Sequence, residues 1–285
     1  MKLISVRTVL IVSGLIILLN ACKKDSAVVS LPTLTTLDLT AITNSSASCG
    51  GNITSDGGSA IIGRGVVYKK GTYPDYNHDS LTRDGVGTGQ FASSLISLDP
   101  GSLYFVRAYA INSLGIAYGD QVTLHTLPVA VGDNFRGGKV AYILKAGDPN
   151  YSGDYERGLI ALQADLPATN WGAYGPMIAT PHGLGNGNVN TNTITTTLGP
   201  GTYAARVCAD LVFPLAGFSD WYLPSIDEMN KLYLNQAIIG GFSGGNYWTS
   251  CSYDNSSAWR YEFGVGSYTT ADKATANLVR PVRSF

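Results

Sequence analysis

Three groups of residues have types and spacings that could do chemistry. Asp227 and Glu228 are neighbouring carboxylates, the pair a general acid and base would need. On a helix, adjacent positions point about 100° apart, so the two cannot easily reach one substrate atom. A capping role fits them better. Asp148, Asp154 and Glu156 offer oxygens to a hard cation, but without the regular ligand spacing of a calcium loop they read as a solvated acidic loop. Trp248, Tyr253 and Trp259 lie near Asn246, Asp254, Asn255 and Arg260 in sequence. Aromatic faces beside amides, carboxylates and a guanidinium can hold a sugar ring. For Trp248 and Trp259, core packing is the favoured expectation, whereas Tyr253, Asp254 and Asn255 read as an exposed turn and are the better ligand candidates. No C-x-x-C pair occurs, the three histidines are scattered, and no Gly-x-Ser-x-Gly is present. The reading is therefore of a non-catalytic chain with no metal site and no cofactor.

Such side chains need a frame, and the stretch Trp221–Tyr233 supplies part of one. Ser225 can cap a helix and Glu228, three residues on, can return the bond, which makes a capping box. Ile226, Met229, Leu232 and Tyr233 then share one helical face. Glu228 is expected to pair with Arg280 or Arg283 as well, making all three structural. A second helix is expected over 202–213. Strands are expected at 138–144, 158–162, 247–253, 258–263 and 278–285. Residues 172–200, rich in Gly, Asn and Thr, read as one long loop; within it, 183–192 is expected to add contacts to the turn at 253–255.

Charge is sparse at 14%, the formal net charge is −1, and 34 residues are glycine. That balance excludes the basic footprint of a nucleic-acid binder and suits a β-rich or loop-rich protein. Lys2 and Arg7 precede an apolar run, 9–19, too short for a comfortable membrane span. It ends in Leu19-Asn-Ala-Cys22, which resembles a bacterial lipobox. The resemblance implies a signal peptide, 1–21, cleaved before a lipidated Cys22, and a lipid anchor in a membrane. Lys23, where an inner-membrane retention signal would carry Asp, leans to the outer membrane. Residues 22–32 then form a short tether. In an exported protein Cys208 and Cys251 can form a disulfide or remain two buried thiols. Cys49 reads as a free core thiol.

Between 33 and 128, six strand-like runs recur with turn signals between them and no helical period, which suits a β-sandwich. The stretch Leu98-Asp-Pro-Gly-Ser-Leu-Tyr104-Phe-Val-Arg107 resembles the E–F corner and F strand of fibronectin type III domains. In that family the tyrosine hydroxyl, here Tyr104, bonds back to the corner backbone. Such modules are mostly spacers.

Composition shifts after Pro128, and all four tryptophans lie beyond it. There the stretches 204–211, Gly217–Tyr233, Asn246–Ser250, Ala258-Trp259 and Val279–Arg283 together resemble the Lcl C-terminal domain family and the major paralogous domains of secreted bacterial proteins. The motif Leu-Pro-Ser-x-x-Glu, a later Trp and a terminal Val-Arg is shared more loosely with formylglycine-generating enzymes. That likeness implies an α+β, C-type-lectin-like fold for 129–285, with 140–144 pairing 278–282. The signatures of calcium-dependent sugar lectins are missing. Three functions follow. One is a non-catalytic cell-surface lipoprotein whose C-terminal domain binds polysaccharide or extracellular matrix in adhesion. Another is a structural or assembly component of the envelope. The third, an enzyme, is disfavoured because the cysteines are spread over both halves.

Overall fold

The computed structural model describes residues 28–175, 177–212 and 217–285. The leader, Cys22 and most of the tether lie outside them. No described helix is long and apolar enough to cross a membrane.

The first half contains β1 (Thr33–Thr36), β2 (Ala47–Ser55), β3 (Gly63–Lys70), β4 (Ser80–Leu81), β5 (Gly89–Leu95), β6 (Leu103–Ile111), β7 (Ile116–Tyr118) and β8 (Val122–His125). They form two sheets, β1-β2-β5 and β4-β3-β6-β7, with β8 also on β6. Alternation decides which side chains are buried. On β6, Tyr104, Val106, Ala108 and Ala110 enter the core with Ile53, Val66, Phe91 and Leu124. Phe105, Arg107 and Tyr109 take the other face. The Tyr104 hydroxyl accepts the Asp99 N–H at 2.9 Å and ties the β5–β6 corner. Cys49 is a buried free thiol whose Sγ donates to the Leu37 carbonyl. The end of the tether is pinned here: Ser30 N–H donates to Gly57 O, and the Asn112 amide donates to Ser30 O.

The second half contains β9 (Asn134–Phe135), β10 (Gly138–Ile143), β11 (Gly158–Ala161), β12 (Leu166–Thr169), α1 (Gly187–Leu198), α2 (Ala204–Ala209), α3 (Ile226–Leu234), α4 (Gln236–Ile239), β13 (Asn246–Ser252), β14 (Ser257–Glu262), β15 (Ser267–Asp272), β16 (Asn277–Val279) and β17 (Val282–Ser284). Its sheets run β17-β11-β10-β9 and β12-β16-β13-β14-β15.

Several expectations are corrected. The pairing of 140–144 with 278–282 does not form. β10 pairs β9 and β11, and the last strand, β17, lies on β11 instead. The single strand expected over 278–285 is two, split at Arg280-Pro281, because proline cannot donate to a ladder. The long loop contains α1, so residues 187–192 of the expected contact loop are helical. Of the helix expected over 202–213, the described residues, up to 212, form only α2.

Glu228 does not pair with Arg280 or Arg283. The Arg280 guanidinium lies 2.7 Å from Asp165, is stacked on Phe242 and donates to the carbonyls of Leu162 and Gly241. Asp165 also accepts from Tyr247 Oη at 2.7 Å and Ser243 N at 2.9 Å, so this buried pair joins the segment between β11 and β12 to β13 and the loop after α4. Arg283 Nη2 donates to Asp220 at 2.9 Å, and its Nη1 to the Arg136 carbonyl at 2.8 Å. The disulfide is absent as well: Cys208 and Cys251 are both buried free thiols, and Cys251 Sγ donates to Pro181 O.

The two halves meet at the β5–β6 corner. Arg136 Nη2 donates to Leu98 O at 2.9 Å and to Asp99 at 3.3 Å, while Lys70 pairs with Asp99 at 2.6 Å. Lys70 Nζ also lies 3.4 Å from the Tyr155 ring centroid. Glu156 accepts the Val129 N–H at 2.8 Å, and its own N–H donates to Pro100 O.

Candidate functional site

The site is built on the β13–β14 hairpin. Its turn is fixed by Asp254, whose Oδ1 accepts Ser256 N at 2.8 Å, Ser257 N at 2.7 Å and Ser256 Oγ at 3.1 Å. Those hydrogen bonds hold its carboxyl below the usual range. Lys273 clamps the turn from beneath. Its side chain is buried, its Nζ donates to Asp254 O at 2.7 Å, and it lies 4.8 Å from the Trp171 ring centroid. Burial lowers its pKa.

Next to this turn stands a cluster of rings around Trp259. Tyr253, Tyr268 and His182 all meet Trp259 close to perpendicular, at centroid distances of 5.2, 5.4 and 5.8 Å. Edge-to-face contact at these spacings is favourable for aromatic pairs. Tyr253 and Tyr268 remain 51% and 53% exposed, so the cluster opens to solvent. Strand register explains the meeting. Trp259 pairs Thr270 and Tyr261 pairs Tyr268, which makes Tyr268 a diagonal neighbour of Trp259 on one face.

His182 is brought in by the N-terminal turn of α3. Asp227 N–H donates to the His182 carbonyl at 3.1 Å. Ser225 Oγ donates to Gly183 O at 2.9 Å, and Glu228 Oε1 accepts Gly185 N at 3.1 Å. Ser225 Oγ also accepts Glu228 N, and Glu228 Oε2 accepts Ser225 N at 2.8 Å, completing the capping box. The same two side chains thus cap a helix and hold residues 182–185. Glu228 is wholly buried; burial pushes its pKa up to about 7, against the hydrogen bonds from Ser225, Gly185 and Tyr222.

The candidate residues separate. Tyr253 belongs to the ring cluster, with Asp254 and Asn255 in the adjoining turn. Asn246 and Arg260 do not join them. Strand residues alternate, so Arg260 points to the face opposite Trp259. There it pairs with Glu262 at 2.8 Å. Asn246 pairs with Glu262 in register, at the far end of the hairpin. Trp248 is fully buried and donates Nε1–H to Thr169 O at 2.9 Å. Trp259, read as a core residue, is half-buried within the exposed cluster. Tyr268 and His182 escaped the sequence reading. A period-two pattern over Ser267–Asp272 points weakly to β15; nothing local marks His182.

Among the described residues no three His, Cys, Asp or Glu side chains converge as metal ligands. Tyr142 Oη donates to Asp148 at 2.7 Å, and Asp148 also accepts the Lys145 N–H at 2.8 Å, so that acid serves its own loop.

Residues 182–283 match the family described as the Lcl C-terminal domain. No curated protein matches the chain. Among solved structures, one titled "Myokine structure" is 20% identical, covering 35% of this chain and 98% of its own, at a TM-score of 0.27. The sensor domain of the anti-sigma factor RsgI4 from Pseudobacteroides cellulosolvens is 18% identical over 35% and 99%, at 0.28. A fibronectin type III domain of human collagen XX is 20% identical over 35% and 96%, at 0.26.

Proposed function

We propose that this chain is a non-catalytic, lipid-anchored protein of the outer membrane. Its sandwich holds out a C-terminal domain that binds polysaccharide or glycosylated matrix through the ring cluster at Trp259. The observation that carries the reading is the cluster itself: Trp259, Tyr253, Tyr268 and His182 converge on an open face beside a turn rich in polar groups. Exposed aromatic rings of this kind give an apolar sugar face something to lie on, and the turn offers hydrogen-bonding partners. A C-type-lectin-like fold for 129–285 belongs to the same proposal and rests on the sequence motifs alone, since the last strand, β17, lies on β11 and not on β10.

The absence of catalysis is supported by how the buried ionisable groups are used. Glu228 holds a cap and a loop, Asp165 is held by Arg280, Tyr247 and Ser243, and Lys273 binds carbonyls. The lipid anchor rests on the Cys22 motif. The test is binding of the full chain, displayed in many copies, to an array of glycans and matrix proteins. Multivalent display raises avidity without new contacts. If nothing on the array binds, an envelope-structural role replaces this reading.

A further inference from the structure

The exposed face does not stop at Trp259. Tyr268, Thr270 and Asp272 lie in a row on β15, opposite Tyr261, Trp259 and Ser257 of β14. At strand rise, Tyr268 to Asp272 spans about 13 Å, longer than a single sugar ring. At the far end, Asp272 Oδ1 accepts Tyr174 Oη at 2.5 Å and the Ala274 N–H at 2.8 Å. Tyr174 is more than half exposed. Tyr174 and Ala274 are in turn walls of an open cleft of about 380 Å³, also lined by Asn170, Leu198, Thr202 and Tyr203. Rings, hydroxyls and an open cleft are therefore joined through the contact of Tyr174 with Asp272.

The charge on this face is negative. The carboxyls of Asp254 and Asp272 are both held below their usual range by hydrogen bonds, so both are ionised at neutral pH. Lys273 follows Asp272 in sequence, but it is buried and its Nζ faces the Asp254 carbonyl, so it offers no charge to a ligand. A polyanion would meet repulsion here; a neutral chain would not.

We propose that the ligand is an internal stretch of an unbranched, neutral polysaccharide, lying from Tyr268 past Trp259 and Thr270 to Asp272 and the cleft beside Tyr174. This rests on the glycan-binding reading above and narrows it. Length, rather than a terminal sugar, sets the affinity.

The experiment titrates the full chain with neutral, unbranched oligosaccharides of glucose, xylose, mannose and galactose, from monosaccharide to octasaccharide, and with sulfated chains of equal length. For at least one neutral series, affinity should rise with length until the row and cleft are filled, then level off. Sulfated chains should bind more weakly. Tyr174→Ala should lose about five- to tenfold for the longest chain, the worth of one aromatic contact, and less for shorter ones. Tyr174→Phe, which keeps the ring, should retain most of the binding. Equal affinity for monosaccharide and octasaccharide, stronger sulfated binding, or an unaffected Tyr174→Ala each overturns the narrowed proposal while leaving glycan binding in place. No binding to any glycan overturns both.

Discussion

Glu228 is the residue where burial and hydrogen bonding oppose each other most directly. Its carboxyl has no exposed surface, and its pKa is raised from 4.5 to about 7. A raised carboxyl pKa means that folding favours the protonated form. The stabilisation is fully present below the unfolded pKa and is lost as pH rises through about 7. The C-terminal domain should therefore be more stable at acid than at mildly alkaline pH, by on the order of 3 kcal/mol from this group. Glu228→Gln should flatten that slope in denaturant titrations across the interval; a slope equal to wild type assigns the pH dependence elsewhere. The candidate site residues divide as clearly. Tyr253→Ala and Trp259→Ala should weaken glycan binding about tenfold. Asn246→Ala and Arg260→Ala should change it less than about twofold, since neither side chain belongs to the ring face. The capping box was legible because Ser-x-x-Glu is a local signal. The division of Tyr253 from Arg260 was not, because it depends on hairpin register, and a shift of one residue exchanges the two faces.

At the scale of elements, α1 shows where sequence reading fails and why. Its sequence, Gly-Asn-Val-Asn-Thr-Asn-Thr-Ile-Thr-Thr-Thr-Leu, is poor in strong helix formers, and no side chain caps its start. Its inner face is largely polar. Asn190 donates to Pro181 O at 2.8 Å and Ser250 Oγ at 3.0 Å, and Thr191 Oγ1 accepts Leu223 N at 3.0 Å. A search for apolar periodicity cannot see such a helix, because tertiary hydrogen bonds replace part of the apolar stripe. By contrast, α3 carries Ile226, Met229 and Leu232 on its buried side and was legible. Gly187, at the start of α1, has no room for a side chain: an added Cβ would lie 2.9 Å from the Leu223 carbonyl and closer still to the Glu228 carboxylate. Gly187→Ala should destabilise the C-terminal domain by about 1–3 kcal/mol through overpacking, read from its denaturation midpoint. A change near zero would show that α1 can shift away from α3. The Arg280–Asp165 pair joins the sheet at a deeper level. Removing one partner leaves a buried charge, so Asp165→Ala should cost about 3–5 kcal/mol, checked by thermal unfolding. A smaller loss would mean that the carbonyls around Arg280 suffice to hold it.

For the whole molecule, the described residues form two bodies of sheet with no strand pairing across them. Their junction is polar and partly exposed, built from Asp99, Lys70, Arg136 and Glu156. Pairs of that kind contribute little, about 0–1 kcal/mol each, and weaken with salt. The strand repeat and turn signals of the sandwich were legible in sequence; the junction was not, because its partners are scattered between Lys70 and Glu156. Anchoring belongs to this scale too. Cys22→Ala should release the protein from the membrane fraction or stall its processing, whereas normal processing with membrane retention would contradict a lipid anchor. What the assembly is for turns on the face around Trp259. The most direct measurement is binding of the full chain, displayed multivalently on beads, to a glycan array, beside Trp259→Ala displayed at equal density. The predicted result is binding of wild type to at least one polysaccharide, weakened about tenfold in the variant and little changed by salt. Undiminished binding in Trp259→Ala, or a wild-type array without any bound glycan, contradicts it.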